Sequence, residues 1–136
     1  MTAAVRVVVV DDHPVFRSGL RTLVEESPAL LLVGEAADGE QAVAVCAREH
    51  PDVVLMDVRM PGMSGVDATR QVVADNPEVR VVVLTMLEDD TSLLACLRAG
   101  ARGYVLKGAS PDEIVETVLA VHAGRAVLGP EVAGRL

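Results

Sequence analysis

The sequence has little positive charge, and its basic residues are almost all arginine. Against 20 Asp and Glu residues it has 12 Lys and Arg residues, and the formal net charge is −8. Because phosphate backbones are bound mainly through Lys and Arg, this balance argues against nucleic-acid binding by these residues themselves. A composition that avoids lysine so strongly also draws attention to Lys107, the single lysine.

Long apolar runs and clustered cysteines are also absent. The apolar runs are too short to span a membrane, and the first one meets Asp11 too early for a signal peptide, so we expect a cytoplasmic protein. Cys46 and Cys96 lie far apart within apolar helical patterns and form no CxxC pair, so we expect two buried thiols. A length of 136 residues with 51% apolar residues is typical of one domain with a substantial core.

Five apolar, β-branched runs alternate with amphipathic helical patterns. Runs without polar alternation are typical of strands buried on both faces of a parallel sheet. The runs cover residues 5–11, 30–36, 52–57, 79–85 and 103–107. The patterns between and after them predict helices over 14–26, 39–49, 65–76, 90–99 and about 111–124. This alternation predicts an α/β fold with right-handed crossovers, in which the second run, polar at its end, lies nearest an edge.

Capping signals mark the start of two of these helices. Ser64 precedes the third helical pattern with Asp67 three residues later, and Ser110 precedes the fifth with Glu113 at the same spacing. This spacing of a serine and an acidic residue is typical of a helix N-terminus. In the fourth helix, the leucines at 93, 94 and 97 are expected to share one apolar face.

Polar residues stand where four of the five runs end. The first run ends in Asp11 and Asp12, the third in Asp57, the fourth in Thr85 and the fifth in Lys107. Ligands of open α/β sheets bind at the carboxyl ends of the strands. We therefore expect these five side chains to converge at one edge of the sheet.

The chemistry of this group favours a divalent cation and a phosphoryl group. The sequence has no GxxxxGK[ST] or GxGxxG motif, and the acidic loop DDHP would repel a bound phosphate, which disfavours a nucleotide or flavin site. Three carboxylates suit Mg²⁺, which binds oxygen ligands. Asp57 can then act as a nucleophile that forms an aspartyl phosphate, with Lys107 and Thr85 contacting phosphoryl oxygens. The alternative is a structural Asp–Lys pair, with the acidic pair capping a helix.

Four segments together resemble the receiver domain of two-component response regulators. They are DDHPVFRSGL, VVLMDVRMPGMSG, VVVLTM and GARGYVLKGAS, and the resemblance extends from about Val5 to Gly124. It implies a flavodoxin-like (CheY-like) three-layer sandwich, with a five-stranded parallel sheet of order 2-1-3-4-5 and five helices.

The resemblance also assigns roles to the residues at the strand ends. It implies that Asp12 binds Mg²⁺ directly and Asp11 chiefly through water, with Asp57 and the backbone carbonyl of Arg59 completing the protein ligands.

The same resemblance implies a phosphorylation switch. Asp57 would be the phosphoacceptor for a sensor histidine kinase, and Thr85 and Lys107 would contact the phosphoryl group. Tyr104 would move inward as Thr85 swings toward the phosphoryl group. Such a domain is a signalling switch, not a conventional enzyme, and catalyses only its own phosphorylation and dephosphorylation.

The DDHP start and the C-terminal segment resemble the NarL/FixJ-type subfamily, whose output domain is a LuxR-type helix-turn-helix. The resemblance implies a receiver over residues 1–124 and the start of a linker over 125–136, in which Pro130 opens a short helix. It also implies phosphorylation-dependent homodimerisation, with DNA binding and transcriptional control only through an output domain outside these residues. Gly108 stands where receivers often have proline.

Two other functions fit parts of the pattern. A Mg²⁺-dependent phosphohydrolase of small substrates would share the carboxylates, but the DxDx[TV] motif and a pocket-forming insertion are missing. A degenerate receiver that only docks partners would not need the complete set of acidic residues, Thr and Lys.

Several neighbouring residues are expected to shape the site without doing its chemistry. Arg59 and Leu87 each follow a site residue by two positions and are expected to border the entry to Asp57. Pro61 and Gly62 are interpreted as setting the loop geometry. His13 is interpreted as a loop residue, since Mg²⁺ prefers oxygen ligands.

Overall fold

A computed structural model describes residues 3–86, 90–129 and 133–134 of the chain. Strands and helices alternate through the described residues. The strands are β1 Val5–Val10, β2 Leu30–Ala36, β3 Val53–Asp57, β4 Arg80–Thr85, β5 Gly103–Leu106 and β6 Val127–Leu128. The helices are α1 Pro14–Glu25, α2 Gly39–Glu49, α3 Gly65–Asp75, α4 Asp90–Ala99 and α5 Pro111–His122. The expected helix opened by Pro130 lies outside the described residues.

The strands form one parallel sheet of order β2-β1-β3-β4-β5-β6. The order of the first five strands confirms the predicted CheY-like topology, and β2 lies at an edge as expected. The minor strand β6 differs from the prediction: it pairs with β5 in the register Gly103↔Val127 and Tyr104↔Leu128. Two residues are too few for a recognisable strand period, so the sequence pattern could not reveal it.

Two apolar cores fill the space between the sheet and the helices. Alternate residues of each strand point to opposite faces, so that Val8 and Val10 of β1 join one core and Val7 and Val9 the other. Helices α2, α3 and α4 cover the first core, and α1 and α5 cover the second. This is the expected three-layer sandwich. No helix in the described part of the chain is both long and apolar enough to cross a membrane.

Both cysteines lie in the first core, where they confirm the expectation of buried thiols. Cys46 of α2 and Cys96 of α4 are both fully buried. Burial raises the pKa of the Cys46 thiol to about 12, so that it stays protonated at neutral pH.

The helix starts follow the capping signals. The Ser64 and Ser110 hydroxyls accept hydrogen bonds from the backbone N–H groups of Asp67 and Glu113. Helix α2 has an N-terminal cap that was not predicted: the Asp38 carboxylate accepts a hydrogen bond from the backbone N–H of Gln41.

The apolar face of α4 differs from the prediction. Leu93 is buried, but Leu94 and Leu97 are 50% and 42% exposed, and the small side chain of Cys96 fills the core position instead. A buried cysteine packs as a small apolar residue, so a prediction based on the leucines alone placed the buried face of α4 wrongly.

Candidate functional site

The polar residues expected at the strand ends meet at one edge of the sheet. Asp11 follows β1, Asp57 ends β3, Thr85 ends β4 and Lys107 follows β5. The Lys107 ammonium lies 3.1 Å from Asp11 Oδ2 and 3.3 Å from Asp57 Oδ2. Its backbone N–H donates to the carbonyl of Thr85 at 3.0 Å, which fixes the start of the side chain beside β4.

The loop after β1 holds its two carboxylates in a hydrogen-bonded turn. Asp11 is fully buried, and its Oδ1 accepts the backbone N–H of His13 at 2.8 Å. The Arg17 guanidinium, one turn into α1, donates to the carbonyl of Asp11 at 2.8 Å. His13 Nδ1 lies 3.2 Å from Asp12 Oδ1 and 3.3 Å from Asp11 Oδ1, so this exposed ring contacts both carboxylates. No sequence pattern indicated that contact.

The carboxylates are arranged so that they could share a metal ion. Ligand atoms from Asp11, Asp12, His13 and Asp57 all lie within 4.8 Å of one another. Asp11 Oδ2 and Asp12 Oδ1 are buried without a hydrogen bond of good geometry, and each has one close cationic or imidazole contact, with the Lys107 ammonium and the His13 ring respectively. Buried carboxylate oxygens without hydrogen bonds are costly, and a hard cation that binds oxygen would satisfy them.

The Asp57 carboxylate is buried among charges of both signs. Burial and the neighbouring Asp11 carboxylate raise its pKa from 3.8 to about 6, although Lys107 and the backbone N–H of Arg59 oppose the rise. That N–H lies 3.3 Å from Asp57 Oδ1. Burial lowers the pKa of Lys107, but its close contacts with the Asp11 and Asp57 carboxylates outweigh burial, so the pKa rises overall and the ammonium stays charged.

This electrostatic balance predicts a pH-dependent stability in the absence of metal. A carboxyl group with a folded-state pKa above its unfolded value stabilises the fold fully below pH 3.8, and the contribution is lost as pH rises through about 6. Asp57→Asn should therefore stabilise the EDTA-treated protein at pH 7.5 by roughly 1 to 3 kcal/mol, and by clearly less at pH 5. Urea denaturation of both proteins between pH 5 and 7.5 measures the difference. If the difference in free energy of unfolding between the two proteins is the same at all pH values, the pKa of Asp57 is not raised.

A small cavity of about 130 Å³ adjoins the Asp57 carboxylate, and Arg59, Thr85, Met86 and Lys107 help to line it. The Thr85 hydroxyl donates to the carbonyl of Met86 at 3.3 Å. Arg59 thus borders the approach to Asp57 as expected, whereas Leu87 lies outside the described residues. A larger open groove of about 870 Å³ lies between α5 and β6, and Asp11, Asp12 and Asp57 do not line it.

Tyr104, which was expected to move inward on switching, already points inward from β5 in this structure. Its side chain is 2% exposed, and its hydroxyl donates to the carbonyl of Ala101 at 3.0 Å. Its own carbonyl accepts the backbone N–H of Gly129 at 2.7 Å, which ties the end of β6 to this strand.

Gly65 has a part in the site that was not predicted from the sequence. Its backbone N–H donates to the carbonyl of Val58, and a Cβ at this position would lie 2.1 Å from the backbone oxygen of Asp57. The first residue of α3 therefore rests directly on the strand that carries Asp57. The sequence feature that could have indicated this role is the position of Gly65 directly after the N-cap residue Ser64. Gly62 has a φ of +73°, which supports its interpretation as a residue that sets loop geometry.

Known proteins are similar to this chain in sequence and in fold. The sequence model of the response regulator receiver domain matches residues 7–119. Response regulator GacA of Pseudomonas viridiflava is 40% identical over 132 residues, which are 97% of this chain and 62% of GacA. The chain thus spans about three fifths of the length of this curated relative.

Solved structures of response regulators have the same fold as this chain. A LuxR-family two-component response regulator from Aurantimonas sp. SI85-9A1 superimposes with a TM-score of 0.90 at 37% identity, over 97% of this chain and 94% of that one. The receiver domain of the response regulator NarL from Mycobacterium tuberculosis gives 0.86 at 38% identity, over 91% of this chain and all of the other. These matches confirm the resemblance to the NarL/FixJ-type subfamily, and the chain belongs to the response regulator receiver domain family of two-component systems.

Proposed function

We propose that this receiver domain accepts a phosphoryl group on Asp57 from a sensor histidine kinase, in a reaction that requires Mg²⁺. The observation that carries the proposal is the position of the Asp57 carboxylate. It borders a small cavity, lies 3.3 Å from the single lysine and shares a cluster with two further carboxylates, each with a buried oxygen that lacks a well-formed hydrogen bond. A purely structural Asp–Lys pair would not need this surplus of buried negative charge.

The proposed metal ligands are the carboxylates of the cluster together with a backbone oxygen. Asp12 and Asp57 would bind Mg²⁺ directly, Asp11 chiefly through water, and Arg59 through its carbonyl. When bound, Mg²⁺ supplies positive charge that offsets the carboxylates and the phosphoryl oxygens. His13 would give up its carboxylate contacts, since an imidazole nitrogen is a poor ligand for this ion.

The residues of the chain account for the transfer step. An Asp57 carboxylate oxygen attacks phosphorus, a new O–P bond forms, and the bond from phosphorus to the donor nitrogen breaks, leaving the kinase histidine free. The Lys107 ammonium and the Thr85 hydroxyl contact phosphoryl oxygens and stabilise the charge that develops on them. Water later attacks the acyl phosphate and releases inorganic phosphate. The domain thus acts on itself and turns over no separate substrate.

The proposed output is a change of surface around α4, β5 and α5. Thr85 and Tyr104 would report the phosphoryl group to this region, where Leu94 and Leu97 leave an apolar strip on α4. We propose that the change promotes homodimerisation. Residues 1–124 would form the receiver, and residues 125–136 would form the start of a linker. Through this linker the receiver would act on a LuxR-type helix-turn-helix domain, which would bind DNA and control transcription. Similarity to LuxR-family regulators supports this arrangement.

Acetyl phosphate tests the phosphoacceptor directly. With Mg²⁺ the chain should gain the mass of one phosphoryl group, and the group should be labile to hydroxylamine, as acyl phosphates are. Asp57→Asn should gain none, whereas Asp67→Asn, a change at an exposed carboxylate on α3, should react like the parent. Mass spectrometry measures both. A phosphoryl group that resists hydroxylamine, or one that persists in Asp57→Asn, would contradict the assignment.

A further inference from the structure

The Phe16 ring covers the Lys107 ammonium. Phe16 is the single phenylalanine of the chain, and Lys107 Nζ lies 4.6 Å from its ring centroid. A cation at this distance is attracted by the electron-rich face of an aromatic ring. The ammonium is thus held by Asp11, Asp57 and the ring together.

The ring itself is fixed relative to the carboxylates. It lies in the first turn of α1 and packs against the apolar core shared by α1 and α5. The next residue, Arg17, ties that turn to the loop before it: its guanidinium donates to the carbonyl of Asp11, and its backbone N–H donates to the carbonyl of His13. Phe16 therefore keeps its place with the loop that holds Asp11.

Lys107 has an alternative direction in which to point. It also lines an open groove of about 540 Å³ between α1 and the start of α5, with Ala109 and Ile114 on the far wall. A lysine side chain is long and flexible, and water in such a groove solvates an ammonium well. Without the ring, the ammonium would divide its time between the carboxylates and the groove.

We propose that Phe16 is a positioning residue that holds the Lys107 ammonium between Asp11 and Asp57. This inference rests on the proposed phosphorylation of Asp57 for its consequence, but the positioning itself can be measured in the unphosphorylated domain. Phe16 thereby keeps the ammonium ready for the phosphoryl oxygens.

The single lysine makes a direct test practical. Isotopically labelled lysine gives one side-chain spin system, so NMR relaxation of the Lys107 ε-methylene reports its order in parent and variants. Phe16→Leu should lower that order, and it should slow phosphorylation by acetyl phosphate about threefold to tenfold. Phe16→Tyr, which keeps the aromatic face, should restore both. Leu23→Ala, which removes apolar volume from the same core without an aromatic change, should lower thermal stability and leave Lys107 ordered.

The outcomes separate the two proposals. If Lys107 in Phe16→Leu is as ordered as in the parent, Phe16 does not position it and the inference is wrong. If the parent itself gains no phosphoryl group, the proposed function fails, while the order of Lys107 still decides the role of Phe16. Phe16→Met, a flexible residue of similar volume, replaces Phe16→Leu if that variant does not fold.

Discussion

Asp12→Ala should abolish the stabilisation of the domain by Mg²⁺. An ion that binds only the folded cluster raises the free energy of unfolding by about 2.7 kcal/mol at 100 times its dissociation constant, which corresponds to a rise in Tm of about 10 °C for a domain of this size. Asp12 is central because its Oδ1 is buried without a hydrogen bond and belongs to the cluster whose atoms lie within 4.8 Å. Thermal unfolding of parent and variant over a Mg²⁺ titration measures the effect.

The same variant should be more stable than the parent when metal is removed. In EDTA the cluster holds several carboxylates close together, and deleting one of them relieves repulsion. Glu25→Gln, which removes one negative charge from an exposed position of α1, is the matched control and should keep the full Mg²⁺ response. If Asp12→Ala responds to Mg²⁺ like the parent, the metal site lies elsewhere.

The fold was predictable from the sequence because its signals are local and repeated. Unbroken β-branched runs predicted buried parallel strands, and Ser64 and Ser110 predicted helix starts that the hydrogen bonds confirm. The failures have equally local causes. Strand β6 has only two residues, too few to show an alternation of apolar and polar residues. Helix α4 buries Cys96, whereas the leucine pattern predicted that Leu94 and Leu97 would be buried.

The site was predictable to the extent that topology alone determines it. Parallel strands bring their carboxyl ends to one edge, so Asp11, Asp57, Thr85 and Lys107 had to come near one another once the strand order was known. The contact of Phe16 with Lys107 follows instead from how α1 packs beside the end of β5, which no spacing within the chain encodes. The closeness of Gly65 to the backbone of Asp57 likewise depends on tertiary packing, in this case of α3 on β3.

Gly65→Ala should destabilise the domain more than the same substitution at glycines with open space around them. The added methyl group would lie 2.1 Å from the backbone oxygen of Asp57 and 2.7 Å from the Cα of Val58, and neither atom is the end of a flexible side chain. Overpacking a well-packed interior lowers the free energy of unfolding by about 1 to 3 kcal/mol. Because the clash here is with backbone atoms, the loss should be at or above the upper end of that range. Phosphorylation of Asp57 should also slow, because α3 must move away from the strand that carries it.

Two other glycines provide matched controls for the same chemical change. Gly19, exposed within α1, has nothing within 4 Å of an added Cβ, so Gly19→Ala should stabilise the domain by about 0.5 to 1 kcal/mol through helix propensity. Gly62 has equally open space but a φ of +73°, so Gly62→Ala should cost about 1 kcal/mol from backbone strain alone. Urea denaturation in EDTA should therefore rank the four proteins as Gly19→Ala, parent, Gly62→Ala and Gly65→Ala, from most to least stable. A Gly65→Ala variant as stable as Gly62→Ala would show that α3 can shift freely on the Asp57 strand, and the glycine would then have no special part in forming the site.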